Sequence, residues 1–115
     1  MFCLKDRKLF IYKHPVTMLL SFDGLTGLIT NNLKQNPMSG DVFVFFNNRR
    51  TKMKILTWET EGFVMLYKRL EEGTFENPAL GIEDTHLSIS HATLEKIITG
   101  KGQRKTRKRL PSSQQ

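Results

Sequence analysis

The segment from Ser39 to Phe75, SGDVFVFFNNRRTKMKILTWETEGFVMLYKRLEEGTF, decides the fold of this chain. It contains three runs rich in aromatic and aliphatic residues, separated by two short polar turns. This pattern predicts three consecutive antiparallel strands. The first run, Asp41–Phe46, is apolar at every position after the aspartate. Because such a run is typical of a strand covered on both faces, we expect it to be central in a sheet.

The two following runs alternate in character. Lys52–Glu59 and Phe63–Leu70 each place successive side chains on opposite sides, as strands with two different faces do. A polar turn over Asn47–Thr51 precedes Lys52–Glu59. Glu61 and Gly62 are predicted to make the tight reversal that joins the two runs.

Further elements flank this segment. Lys8–Lys13 predicts a short strand, and helical spacing of apolar residues predicts a helix from Thr17 or Ser21 to Lys34. Downstream, His86–Ile89 favours another short strand and Thr93–Thr99 a short helix. The sequence therefore predicts an α+β domain: a small antiparallel β-meander of three to five strands, one helix packed on a face, and a short C-terminal helix.

The net charge of +7 is unevenly divided along the 115 residues. Residues 1–100 contain twelve Lys/Arg and eleven Asp/Glu, which leaves +1, whereas residues 101–115 contain six cations and no acid. The sequence thus predicts one nearly neutral domain over residues 1–100. Residues 101–115 have too few apolar side chains to repay their ordering entropy, and we expect a flexible basic tail.

Cysteine content and hydropathy favour one compartment. A single Cys3 cannot form an intramolecular disulfide, which favours a reducing environment. The chain opens with no basic and then apolar leader, and no apolar run approaches the ~18 residues that span a bilayer. We therefore expect a cytoplasmic protein without membrane contacts.

The sequence does not predict an enzyme. Asp23 and Asp41 lie where helix capping and turn formation account for them, and no set of acids has the spacing of a two-metal nuclease. The histidines His14, His86 and His91 are irregularly spaced and lack a cysteine pair, so no zinc motif is present. We expect no catalytic activity, no metal and no other cofactor.

Basic residues on the predicted sheet suggest contacts with DNA. Two-stranded basic ribbons can enter a DNA groove or straddle phosphates, and Arg can bind phosphate oxygens in a bidentate manner. Because the second and third strands reverse direction, both are expected to bring cations to the same end of the sheet. The candidates in the folded part are Arg49, Arg50, Lys52, Lys54, Lys68 and Arg69.

Two simpler interpretations remain open. The cations can belong to a solvated turn and to an edge strand whose lysines discourage aggregation. Trp58 and Tyr67 could stack on bases, but their neighbours along the strands are typical of a core.

The tail adds six further candidate DNA contacts. If all six cations met phosphates, the log–log dependence of affinity on salt would have a slope of roughly −5. Such an arm supplies affinity with little sequence information, and it could equally bind an acidic protein. The tail candidates are Lys101, Arg104, Lys105, Arg107, Lys108 and Arg109.

Several sequence motifs occur in the order in which they are found in the accessory protein of IS66-type insertion sequences, and the chain therefore resembles this TnpB or Orf2-like family. They are FDGLTGL at residues 22–28, NPMSGDVFVFFNNRR at residues 36–50, Trp58, and EGFVMLYKRLEEGTF at residues 61–75. Together they cover roughly half of the chain. Family members usually carry an acidic residue and an Arg just before FDGL, where this chain has VTMLL at Val16–Leu20.

The resemblance implies a noncatalytic role in transposition beside a separate, larger transposase in a bacterium. From the residues, we expect binding to DNA, nonspecifically or at the element ends, and association with the nucleoid when bound. The alternative is a protein–protein adaptor that docks the transposase and binds DNA weakly. Exposed edges of a short meander also leave homo-oligomerisation open.

Overall fold

A computed structural model of the chain describes residues 7–75 and the backbone of residues 86–89. One helix and five strands lie in these ranges. In chain order they are β1 (Leu9–Tyr12), α1 (Phe22–Asn31), β2 (Val42–Phe46), β3 (Lys52–Glu59), β4 (Gly62–Arg69) and β5 (His86–Ile89). The predicted helix Thr93–Thr99 and the predicted tail, residues 101–115, lie outside the described residues.

The five strands form one mixed sheet in the order β4-β3-β2-β1-β5. The pairs β2–β3 and β3–β4 are antiparallel, so the predicted meander is confirmed. In contrast, β1 pairs with β2 in parallel, because α1 crosses over between them and returns the chain in the same direction. β5 pairs antiparallel with β1 at the far edge. The α+β class predicted from the sequence is confirmed.

Strand β2 is the centre of the sheet, as its uninterrupted apolar run predicts, and all five of its residues are buried. Its side chains divide between two clusters. Phe43 and Phe45 face α1 and pack with Leu25 and Ile29. The side chains on the opposite face, which include Val44, pack with residues of β1 and β3 and with Phe75. Burial on both faces is what places this strand between two others.

The helix is shorter than its hydrophobic pattern predicts. It begins at Phe22, and Ser21 makes no side-chain hydrogen bond to its first turn. Residues 17–20 instead form a turn, in which the Leu20 N–H donates to the Thr17 carbonyl at 3.2 Å. This turn passes over the sheet and becomes part of the candidate site described below.

The β3–β4 reversal differs in detail from the prediction. Thr60 and Glu61 are the two turn residues, with φ of 43° and 64°, and Gly62 is already the first residue of β4, opposite Glu59. Positive φ at both central positions is typical of the two-residue turns that match the twist of a hairpin, which favour Asn and Gly. A β-branched Thr60 in this conformation is strained.

Relieving this strain should stabilise the protein. Replacing Thr60 by Asn keeps an exposed polar side chain but adopts a left-handed conformation more readily. We expect Thr60→Asn to raise the free energy of unfolding by about 1 kcal/mol in urea denaturation. Thr60→Val, which keeps the β-branch, is the control and should bring no gain. Equal effects of the two substitutions would contradict the turn geometry.

Candidate nucleic-acid interface

The turn between β2 and β3 is held by Asn47. Its Oδ1 accepts hydrogen bonds from the backbone N–H groups of Thr51 and Lys52, each at 2.9 Å. Its Nδ2 donates to Thr51 Oγ1 at 3.1 Å. These bonds close the turn and leave Arg49 exposed at its tip. The turn is therefore a fixed platform for this cation.

A cleft of about 640 Å³ opens beside this platform, between the β2–β3 turn and the loop that leads from β1 to α1. The Val16 N–H donates to the Phe46 carbonyl at 2.9 Å, which fixes the start of that loop beside the end of β2. Among the residues that the structure describes, no acidic one lines the cleft. Its lining consists of Pro15, Val16, Thr17, Met18, Leu19, Asn47, Asn48, Arg49, Lys52 and Tyr67.

Two of the predicted cations share this end of the sheet with Arg49. Lys52 lines the cleft and lies directly opposite Arg69 in the β3–β4 ladder. Arg69 is exposed and forms an ion pair with Glu71 at 2.9 Å. Because an exposed pair of this kind is held weakly, a phosphate can compete with Glu71 for Arg69. Lys68 is half-buried and lies on the opposite face of the strand.

Arg50 has a different environment from its neighbour Arg49. Its backbone has a positive φ of 59°, its Nε donates to the Phe75 carbonyl at 3.3 Å, and its guanidinium lies 4.1 Å from the centre of the Phe46 ring. The Phe75 N–H donates back to the Arg50 carbonyl at 2.7 Å. Burial lowers the pKa of Arg50 to about 10, so it remains charged at neutral pH. Its contacts join the turn to residue 75.

Lys54 is buried, with 5% of its surface exposed, and does not present its charge to solvent. Its Nζ donates to the carbonyls of Met18, at 2.8 Å, and Leu20, at 2.6 Å. It also lies 4.8 Å from the centre of the Tyr67 ring. The expectation that Lys54 contacts DNA is therefore corrected: its ammonium group anchors the loop before α1 and supports one wall of the cleft.

Trp58 and Tyr67, the two aromatic candidates for base stacking, differ in their environments. Trp58 packs edge-on against Phe63 with ring centres 4.9 Å apart, as its core-like neighbours predict. Tyr67 lies on the same face of the sheet, lines the cleft and is 53% exposed. Of these two rings, Tyr67 is the more exposed, and it is the one that lines the cleft.

The six tail candidates, residues 101–109, lie outside the described residues, and their contacts stay a prediction. Sequence reasoning also missed the wall formed by residues 15–19. Their composition alone does not indicate a site. They line the cleft only because the parallel crossover brings them beside the β2–β3 turn. Arg7 was missed as well; it bonds Thr57 Oγ1 at 2.9 Å and Glu59 at 3.0 Å and so braces the other end of β3.

The surroundings of Asp23 and Asp41 indicate structural roles for these two carboxylates. Asp41 follows a turn in which its own N–H donates to Ser39 Oγ at 3.1 Å, and Asp23 lies in the first turn of α1. Across residues 7–75, no three side chains of the His, Cys, Asp or Glu type are grouped in a way that could hold a metal ion.

Within the part of the chain that the structure covers, no helix has the length and apolar character that crossing a bilayer requires.

Fold and site together define a small α+β protein that gathers cations at one end of a mixed sheet. The chain belongs to the IS66 Orf2-like family, whose model matches residues 7–108. This places it among the accessory proteins of insertion sequences, a family that is generally noncatalytic.

Two relatives come from Sinorhizobium fredii (strain NBRC 101917 / NGR234). The chain is 27% identical to "Uncharacterized protein y4jC" over 93 residues, which cover 81% of this chain and 78% of the relative. It is 30% identical to "Uncharacterized protein y4hO" over 83 residues, or 72% and 70% of the two chains. No solved structure matches the chain.

The structural role of Lys54 can be tested by substitution. Lys54→Met keeps the length of the side chain but leaves the Met18 and Leu20 carbonyls without their donor. We expect the free energy of unfolding to fall by about 2 kcal/mol, measured by urea denaturation. Lys52→Met is the matched control at a half-buried position and should change stability by about 0.5 kcal/mol or less. If both variants were equally stable, the anchoring role would be refuted.

Proposed function

We propose that this protein is a noncatalytic accessory protein of an insertion sequence that binds DNA beside a separate transposase. The contacts are made by the cleft at the end of the sheet and by the basic tail. The observation that carries this proposal is the combination of an exposed Arg49 on a hydrogen-bonded turn with a cleft whose described lining residues include no acid.

The chemistry of the cleft suits a phosphate backbone. Arg49 and Lys52 supply positive charge, and the Asn48 side chain supplies an amide that can donate a hydrogen bond. Arginine binds phosphate oxygens through two parallel N–H donors, whereas lysine acts as a point charge. Arg69, opposite Lys52 on the neighbouring strand, extends the positive surface along the sheet end.

Tyr67 gives the cleft a second kind of contact. Half of its surface is exposed, and the ring lies over the Lys54 ammonium group on one side. An aromatic ring beside cations can stack on an unpaired base or pack against a sugar. The cleft is therefore suited to a nucleotide backbone with one base accessible, as at a distorted or single-stranded element end.

The tail contributes affinity of another kind. Six cations within residues 101–109 would neutralise phosphates without reading bases. In a bacterial cell such an arm would keep the protein at the nucleoid whenever DNA is accessible. Within the assembly, bond cleavage is assigned to the transposase. This assignment is supported by the family and by the structural surroundings of Asp23 and Asp41.

The proposal is tested by fluorescence-anisotropy titration of duplex and single-stranded DNA at several salt concentrations. Arg49→Ala/Lys52→Ala should weaken binding and make the salt slope shallower by about 2, since two phosphate contacts are lost. Replacing all six tail cations by Gln in the full chain should make it shallower by about 5.

The matched control removes the same charge elsewhere. Lys8 and Lys34 are exposed and do not line the cleft. Lys8→Ala/Lys34→Ala should therefore change affinity by about twofold or less. Equal losses for the two double variants would reject the cleft as the contact site, and indistinguishable affinities of all variants at low salt would reject both sites.

A second function is favoured by another surface. Phe63 and Met65, on the helix side of β4, are only partly buried, and Trp58 packs beside them. Such an apolar patch could dock the transposase, and the protein would then act as an adaptor with weak DNA binding. Co-purification with the transposase at moderate salt, lost in Met65→Lys but retained in Arg49→Ala/Lys52→Ala, would favour this function over DNA binding.

A further inference from the structure

Among the described strands, β4 is the last one of the sheet on the side away from β1. It is eight residues long, GFVMLYKR, and its register with β3 is continuous from Lys52–Arg69 to Glu59–Gly62. It contains no proline and no bulge, which are two of the devices that protect edge strands from pairing with another chain. Five of its first six residues are half-buried and the sixth, Tyr67, is exposed. An edge of this kind is suited to pairing.

The ladder shows which backbone groups are available for pairing. The Leu70 N–H donates to the Thr51 carbonyl at 2.8 Å. Because hydrogen-bonded pairs recur at every second residue of an antiparallel ladder, the even-numbered residues of β4 bond to β3. The backbone groups of Phe63, Met65, Tyr67 and Arg69 therefore point toward the outer edge.

We propose that two copies of this chain associate through their β4 strands, antiparallel and around a two-fold axis at Met65. In this register the numbers of paired residues add up to 130. Met65 then faces Met65 of the second copy, Phe63 faces Tyr67, and Glu61 faces Arg69. Phe63, Met65 and Tyr67 are odd-numbered strand positions, so their outward backbone groups meet as hydrogen-bonded pairs. Glu61 lies in the turn before β4 and contributes only its side chain opposite Arg69.

The side chains are complementary in this register on both faces of the sheet. On the helix face an aromatic pair, Phe63–Tyr67, flanks the central methionines. On the other face Val64 lies opposite Leu66. Charges are confined to the ends of the edge, with Glu61 at one end and Lys68 and Arg69 at the other, so an antiparallel pairing of identical strands brings Glu61 opposite Arg69 twice.

Neighbouring registers fit less well. A sum of 132 keeps a similar length paired but puts Glu61 opposite Glu71 and Phe63 opposite Arg69. A sum of 128 brings Arg69 opposite Glu59, whose carboxylate is already bonded to Arg7 at 3.0 Å, and it runs the ends of β4 past the Thr60–Glu61 turn. Odd sums would oppose outward and inward backbone groups, which cannot form a ladder.

The pairing has a consequence for the cleft, and this consequence alone rests on the proposed function. A two-fold axis between antiparallel edge strands is perpendicular to the sheet, so both α1 helices lie on one side of a continuous sheet. Both clefts then open on that side, with Phe63 of the second copy next to Tyr67 at each cleft. The two-fold symmetry of this arrangement matches that of DNA sites built from two inverted half-sites.

Disulfide trapping tests the register directly. Three full-length variants, Met65→Cys, Val64→Cys and Leu66→Cys, are made in a Cys3→Ser background and oxidised. The Cα atoms of a hydrogen-bonded pair lie ~5.5 Å apart, within disulfide range, so Met65→Cys should form a covalent dimer. Two cysteines at position 64, or two at position 66, would be diagonal neighbours offset by two residues, at roughly 7–8 Å, and should react at least about tenfold less.

Preferred trapping at 64 or 66, which corresponds to the sums 128 and 132, would overturn the proposed register. No trapping at any of the three positions would overturn the interface. Neither result depends on DNA, so a failure here is distinguishable from a failure of the proposed function.

A charge swap tests the same interface without cysteines. Sedimentation equilibrium of the wild type should show a concentration-dependent dimer. Glu61→Arg alone or Arg69→Glu alone should raise the dimer Kd about tenfold, because two like-charge contacts replace two ion pairs. The double variant Glu61→Arg/Arg69→Glu should restore dimerisation. A monomeric wild type, or a double variant as weak as the single ones, would contradict the pairing.

Discussion

The burial of both faces of β2 is the constraint on which the rest of the structure depends. Five consecutive apolar residues cannot be satisfied by a strand with one solvated face, so the chain must cover them from two sides and flank them with two strands. The meander supplies one flanking strand. The other is β1, which can reach this position only through a crossover that carries α1 over Phe43 and Phe45.

This crossover also creates the candidate site. It brings the loop of residues 15–19 beside the β2–β3 turn, and the resulting cleft is lined by two parts of the chain whose nearest residues, Leu19 and Asn47, are 28 positions apart. Lys54 holds the loop through two backbone carbonyls. A cation in the middle of the sheet thus shapes the cleft, while cations at the turn supply its surface charge.

The adjacent residues Arg49 and Arg50 show why residue type alone does not define a binding surface. Asn47 closes the turn so that Arg49 extends into solvent, whereas Arg50 adopts a positive φ and packs between Phe46 and the backbone of Phe75. One arginine is available to a phosphate and the other joins two segments of the fold. The C-terminal part of β4 lies at the same end of the sheet. Tyr67 and Arg69 therefore belong both to the surroundings of the cleft and to the proposed dimer interface.

The sequence by itself determined the α+β class, the central position of β2, the meander and the bounds of β3 and β5, because local hydrophobic periodicity and turn residues carry that information. It also indicated that Arg49, Lys52 and Arg69 meet at one sheet end, since antiparallel strands reverse at short turns. Only the tertiary structure decided the parallel pairing of β1, the shift of the tight turn to Thr60 and Glu61, and the separate roles of Arg50 and Lys54. The roles of Arg50 and Lys54 depend on contacts with residues 25–36 positions away, namely Phe75 for Arg50 and Met18 and Leu20 for Lys54, and no local pattern encodes such contacts.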